Sequence, residues 1–332
     1  AHPTPLRTRS GLVYTHFAGA PPFREAARSP RARFEAGPYP DEWAAVHHVL
    51  PDHGWVYALR FDDGRVSAGA LLADPEAHEG LARGEGEGVW RALLDAYPGL
   101  ARVFGRARPL RPFAAAPRLQ RRRHTAVGEG WAALPHAYAF VDPLFSTGIA
   151  WSLRGVERLA DALLSEGPGR RERALGRYED LVAREVERID RLVAAAYAAR
   201  GDFALFGAHA MLYFVAVSWA ETRERLFAGE TSCWDGFLGV GDPLLDGAFE
   251  EGAARVTALV GDGPPRALPR DVVAGHHRWL ADVLAPRNVA GLLDESRRNL
   301  YPADLEVVVD RAPLVGLSPE AMRARLPDLM RL

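Results

Sequence analysis

Hydrophobic and polar residues alternate differently along the two halves of the chain. Residues 10 to 73 read as β, with short apolar-rich runs at Val46 to Leu50, Gly54 to Phe61 and Arg65 to Leu72. Runs of that length bounded by turn residues predict strands. Asp62-Asp63-Gly64 separates the last two and predicts a hairpin turn, because glycine takes a positive φ readily. Residues 21 to 40, rich in Pro, Arg and Ala, predict a loop. Val89 to Tyr97 predicts a short helix stopped by Pro98, Arg108 to His124 a further strand or two, and Trp131 to Leu134 a short buried strand.

Beyond Ile149 the period lengthens to that of a helix. Ile149 to Leu164 is apolar-periodic. Arg170 to Arg200 places Leu181, Val182, Val186, Ile189, Leu192, Val193 and Tyr197 on one face, with Arg and Glu on the other. Phe203 to Phe227 predicts a second long helix. Pro243 to Val260, Pro269 to Leu284 and Pro319 to Leu326 predict helices with proline near the start. Phe203 to Ala220 is the longest apolar stretch, but His209 sits in its middle and it is barely of spanning length, so it predicts a buried helix and no membrane partner.

Composition narrows the class. The 332 residues can bury a substantial core and suggest about two domains. The net charge of −2 argues against nucleic acid as an obligatory partner, and the one compact basic run, Arg121-Arg122-Arg123, predicts a solvated face. All 41 basic residues are arginine, a coding bias. A single cysteine, Cys233, cannot form an internal disulfide, which fits a reducing cytoplasm. A chain beginning at Ala1 is read as a fragment or a processed product.

Chemistry concentrates between Gly130 and Gly155. Strand, tight segment (Pro135-His136, then Phe140-Val141-Asp142-Pro143) and helix start (Ser146-Thr147-Gly148) make an anion-binding cradle. The first helical N–H groups lack intrahelical acceptors and the helix dipole adds positive charge there. Ser146 predicts a cap and Gly148 allows close approach of a flat ligand. The same pattern also describes an ordinary strand-to-helix turn. His47-His48 with His53, and His276-His277, lack metal-ligand spacing, since adjacent strand residues face opposite ways; no metal is expected.

Phe140 to Ile149, FVDPLFSTGI, resembles the second flavin motif of the flavin-dependent halogenases, FAD monooxygenases with a p-hydroxybenzoate-hydroxylase-like fold. Gly54-Trp55-Val56-Tyr57 with Gly64-Arg65-Val66-Ser67-Ala68-Gly69 resembles that family's hairpin facing the isoalloxazine, and Tyr178 to Tyr197 the helix opening its C-terminal region. The resemblance implies an α+β chain, an incomplete α/β FAD-binding fold. It would comprise a β-rich sheet region (1–125), the last strand and helix of the FAD domain (126–166) and a helical region (167–332). It implies flavin contacts from His136, Asp142, Pro143, Ser146, Thr147, Gly148 and Ile149, a halide held by the N–H groups of Thr147 and Gly148, and a substrate pocket lined by Trp55 and Tyr57. The implied reaction oxidises or halogenates an aromatic or other small organic substrate with reduced flavin and O2, a flavin reductase being a further partner.

The chain departs from the family in four places. It carries no Gly-x-Gly-x-x-Gly unit, so FAD binding by this chain alone is expected to be weak or absent. It has no lysine to relay hypohalite, so the isolated chain is expected to be inactive. Pro135-His136 stands where the family has Gly-Asp, and Phe145 where the tryptophan-type enzymes have Glu. The alternative is a non-catalytic fragment that binds a small molecule or a partner.

Overall fold

The computed structural model describes residues 5–26, 46–165, 167–227, 231–294 and 305–329. Residues 27–40 of the expected loop lie outside them. In chain order come β1 (Ser10–Ala18), a helical turn α1 (Phe23–Ala26), β2 (Val46–Leu50), β3 (Gly54–Arg60), β4 (Val66–Ala73), α2 (Glu79–Ala82), α3 (Gly86–Ala96) and α4 (Pro98–Phe104). Short strands β5 (Arg108–Pro109), β6 (Ala114–Ala116), β7 (Arg121–Arg122), β8 (Val127–Gly128) and β9 (Trp131–Ala132) follow. Then come α5 (Pro135–Tyr138), β10 (Ala139–Phe140), α6 (Thr147–Leu164), α7 (Pro168–Ala199), α8 (Phe203–Leu226), α9 (Pro243–Val260), α10 (Arg270–Leu284), α11 (Leu305–Asp310) and α12 (Pro319–Leu329). The class is α+β.

The chain divides into two compact units. One holds residues 9–119 and 264–266, the other residues 1–8, 120–263 and 267–332. Segments 126–166 and 167–332 thus share one unit.

The first unit is an antiparallel sheet ordered β2-β3-β4-β1, with β5 and β6 also pairing with β1. The turn at 62–64 forms as expected: the Phe61 N–H donates to the Arg65 carbonyl, and Gly64 takes φ 80°. Alternation sends Val13, Phe17, Val56, Val66, Ala68, Ala70 and Leu72 to one face. There they bury against Trp90 and Leu93 of α3 and Leu100, Val103 and Phe104 of α4.

The second unit is a helical assembly. α7 packs on α6, α8 and α9, and α10 on α8 and α9. A buried ion pair centres it. Arg158 Nη1 donates to Glu185 Oε2 at 2.9 Å, and both side chains are fully buried. Glu185 also accepts from Trp151 Nε1 at 2.8 Å and from the Phe237 N–H at 2.6 Å. Arg158 spends its remaining donors on the carbonyls of Cys233 and Asp235. Such a pair is tolerated inside only when its lone pairs and protons are satisfied in this way. α8 is long and apolar enough to cross a membrane by length and composition, with a mean hydropathy of 1.6 in its best window; half of that window is buried against the other helices.

Two expectations are corrected. Trp131 to Leu134 is not a buried strand. Only Trp131–Ala132 pairs, with Val127–Gly128, and Trp131 and Leu134 are 47% and 40% exposed. The pair is a hairpin tip: Gly130 turns at φ 74°, and the Trp131 indole folds flat onto Gly128, where a Cβ would overlap it. Nor is Arg121-Arg122-Arg123 a merely solvated face. Arg121 and Arg123 donate to the carbonyls of His136 and Ala137 at the end of α5 (3.2 and 2.9 Å), and Arg122 reaches Tyr138 Oη and Glu187.

Candidate functional site

The segment from β9 to α6 is built in more pieces than strand, loop and helix. Leu134 leads into the single turn α5, with Pro135 at its first position, where a missing N–H costs nothing. β10 then pairs with β7, and residues 141–146 form a tight turn into α6. That turn is held by a buried carboxylate. Asp142 accepts from the Leu144 N–H at 3.1 Å and from the Tyr197 hydroxyl of α7 at 2.9 Å. Gln120 donates to the Val141 carbonyl at 2.8 Å. The Ser146 N–H closes onto the Pro143 carbonyl at 2.9 Å, and Phe145 packs on Tyr213 of α8.

Ser146 stands at the position before α6, but its side chain caps none of the helical N–H groups. The expected cap is therefore corrected. Ser146 has φ 50° and ψ 27°, a left-handed conformation costly for a residue with a Cβ. The N–H groups of Thr147, Gly148 and Ile149 are left without a side-chain acceptor at the positive end of an 18-residue helix. Thr147 is buried, while Ser146 and Ile149 are exposed.

Gly148 is glycine for a reason the sequence did not disclose. The His136 imidazole lies on it, and a Cβ at 148 would overlap Cε1 and Nε2 of that ring. Two helical turns on, Pro135 lies on Gly155 in the same manner. α5 therefore docks on a glycine stripe of α6, with Trp151 between (ring centroids of His136 and Trp151 6.1 Å apart). Burial, and secondarily the Arg121 guanidinium, lower the pKa of His136, so its ring is neutral at pH 7. Arg121 also lies over Phe140 at 5.2 Å. The sequence pattern assigns neither these arginines nor Tyr197, some 55 residues beyond Asp142, a role at the turn. Only the triplet's adjacency to the chemistry-bearing segment could have flagged the former.

Trp55 and Tyr57 belong to the sheet unit, on the face opposite its helix-covered core, with Trp55 buried and Tyr57 half-buried. Their rings are 6.3 Å apart, and the His47 ring lies tilted at 52° with its centroid 4.8 Å from that of Trp55. The register aligns His47, Tyr57, Gly69 and Tyr14 across four strands. Gly69 is bare because Tyr57 and Tyr14 close over it. Burial raises the pKa of Tyr57. His48, pointing the other way, meets Phe23. No group of three or more metal-ligating side chains occurs among the described residues.

The family described as tryptophan halogenase matches residues 51–211. Monodechloroaminopyrrolnitrin halogenase PrnC of Pseudomonas fluorescens is 26% identical over 226 residues, 64% of this chain and 38% of that protein. Tetracycline 7-halogenase of Kitasatospora aureofaciens is 23% identical over 49% of this chain and 30% of its own length. The halogenase PltM superposes with a TM-score of 0.70 at 20% identity, covering 89% of this chain and 62% of PltM, and it has also been solved in complex with phloroglucinol and FAD. The chain thus spans less than two-fifths of the two curated relatives. Family match over residues 51–211, relatives and fold agree with the motif at Phe140 to Ile149 and support a flavin-dependent halogenase family for this chain.

Proposed function

We propose that this chain supplies the substrate-facing sheet and the halide turn of an FAD-dependent halogenase acting on an aromatic or other small organic substrate. The observation that carries the reading is the uncapped start of α6. The N–H groups of Thr147 and Gly148 offer donors to an anion at a positive helix end, and a halide, which needs donors and no directional geometry, suits them. Tyr57, half-buried, and the exposed Tyr14, beside a buried Trp55, offer an aromatic edge against which a flat substrate can pack.

Flavin is fitted only in part by this chain's residues. The carboxylate of Asp142 is taken by Leu144 and Tyr197, and the flat side of Gly148 is taken by His136. What this chain offers FAD at the turn is backbone N–H, together with the exposed Ser146 and Ile149. When bound, FAD supplies the reducing equivalents that activate O2 for halide oxidation, and a flavin reductase would recharge it. His136, neutral and held by Gly148 and Trp151, orients the start of α6. Asp142 and Tyr197 keep the turn closed.

The same occupancy favours a second reading, that this chain alone binds no flavin and serves as a binding module. Bromide-soaked crystals measured at the bromine absorption edge test the first. An anomalous peak within hydrogen-bond reach of Thr147 N and Gly148 N is the expected result. Its absence there, with bromide bound elsewhere, overturns the halide turn.

A further inference from the structure

A groove of about 600 Å³ runs between the N-terminal half of α7 and the loop that joins α8 to α9. Arg173, Arg177, Asp180 and Arg184 form its helix wall, Trp234 and Val240 its loop wall. The helix positions recur at steps of four, three and four, so they share one face. All six residues belong to the helical unit.

Charge on this face departs from the other helices. Arg83, Arg91, Arg225 and Arg255 each hold a carboxylate one helical turn away. Arg173 has no acceptor among the described residues. Arg177 has only the Trp234 ring, its guanidinium carbon 4.8 Å from the ring centroid. Arg184 comes no closer than 3.8 Å to Asp246, a carboxylate already taken by Arg188 and the Gly241 N–H. Asp180 pairs with none of the three. Arg173 and Arg177 stand four residues apart on a helix, where like charges repel. The chain has 43 acidic against 41 basic side chains, so the repulsion does not reflect a shortage of acceptors.

The loop wall is fixed from within. Arg188 Nη1 donates to the Leu238 carbonyl at 2.6 Å, adding to the bonds from Arg158 and Glu185 to Cys233, Asp235 and Phe237. This clamp holds Leu238 at φ 54°, a left-handed backbone that is costly for a residue with a Cβ. Trp234 is pinned in turn, its Nε1 donating to Asp161 Oδ2 at 2.7 Å. An aromatic wall ordered in advance lowers the entropy cost of binding.

We propose that this groove binds a phosphate monoester of a small organic molecule. The phosphoryl group lies among Arg173, Arg177 and Arg184, whose planar forks match its oxygens and whose repulsion it relieves. The organic part packs on Trp234 and Val240. Asp180 accepts from a ligand hydroxyl and disfavours a second anionic group. Nucleic acid needs a longer cationic track than three side chains, and the net charge of −2 opposes it. The site uses neither the start of α6 nor the aromatic sheet edge, so it stands or falls apart from halogenation.

Calorimetric titration of the purified chain with phenyl phosphate, inorganic phosphate and phenol at constant ionic strength tests it. Phenyl phosphate should bind once per chain, inorganic phosphate more weakly, and phenol not at all. Arg173→Gln with Arg177→Gln should weaken phenyl phosphate roughly tenfold or more. Its urea midpoint should not fall, because both positions are exposed and a repulsion is removed. Arg170→Gln with Arg171→Gln takes the same charge from exposed positions of the same helix outside the groove, and should leave the affinity nearly unchanged. No saturable binding at millimolar phenyl phosphate overturns the proposal. So does equal affinity for inorganic phosphate or phenol, or an equal loss in both double variants, which would mean attraction by net charge alone.

Discussion

The imidazole of His136 occupies the space that a side chain at position 148 would need, so Gly148 and His136 are one packing unit. Gly148→Ala should therefore destabilise the chain, although alanine is the better helix former. Overpacking costs about 1–3 kcal/mol, against a gain of about 1 kcal/mol from propensity. His136→Ala in the same chain should recover most of the loss. A urea-denaturation double-mutant cycle checks this; additive effects would mean that the two residues do not share the space.

Tyr197 anchors the 141–146 turn through Asp142. Tyr197→Phe leaves a buried carboxylate short of one donor and should cost about 1.5–3 kcal/mol. Hydrogen exchange of the Leu144 and Ser146 amides should rise selectively. A uniform rise across α7 would point to a packing defect instead.

Arg158 and Glu185 are both fully removed from water. Arg158→Met alone strands a buried charge and should cost about 3–5 kcal/mol. Arg158→Met with Glu185→Leu should cost less than either single change. Thermal unfolding of the three variants decides it; a double variant as unstable as the worse single change would show that the pair is itself a source of stability.

Acid should weaken the helical unit before it reaches the carboxylates. His209 and His276 are buried; His209 pairs Nε2 with the Leu192 carbonyl, while its Nδ1 and both ring nitrogens of His276 lack hydrogen-bond partners among the described residues. Burial holds both pKa values near 4, His276 facing Arg255 and His277 as well and His209 facing His276. Above about pH 6.5 the rings are neutral in both folded and unfolded states. As pH falls from 6.5 toward 4, the unfolded chain takes up protons that the folded chain refuses. Stability therefore declines through that window and levels off below it, by on the order of 3 kcal/mol for the fully buried His209. His48 in the sheet unit adds to the same window. Urea midpoints from pH 7.5 to 4.5 should fall, and His209→Leu with His276→Leu should flatten the slope; an unchanged slope would locate the titration elsewhere.

FAD titration of the isolated chain should show no saturable binding at micromolar protein, because no pyrophosphate cradle is present in this sequence. A yellow, stoichiometric complex would contradict that.

Much of the architecture was legible in order. Strands at 46–50, 54–60 and 66–73 follow from alternation that one covered face imposes. α7 follows from its apolar stripe, and the helix start at 147 from Ser-Thr-Gly placed before a periodic run. These are local signals, set by neighbours within a few residues. α5 escaped because a single proline-led turn leaves no period to read.

The sequence by itself determined the element order, the hairpin, the helix start at Thr147 and the family motif. Only the tertiary structure decided that Ser146 leaves the start of α6 uncapped, that Asp142 belongs to Tyr197, that His136 lies on Gly148, that the arginine triplet clasps the end of α5, and that α6 keeps a row of apolar side chains exposed. Those facts depend on which distant side chains meet, and periodicity specifies which face of an element is apolar without saying what will cover it.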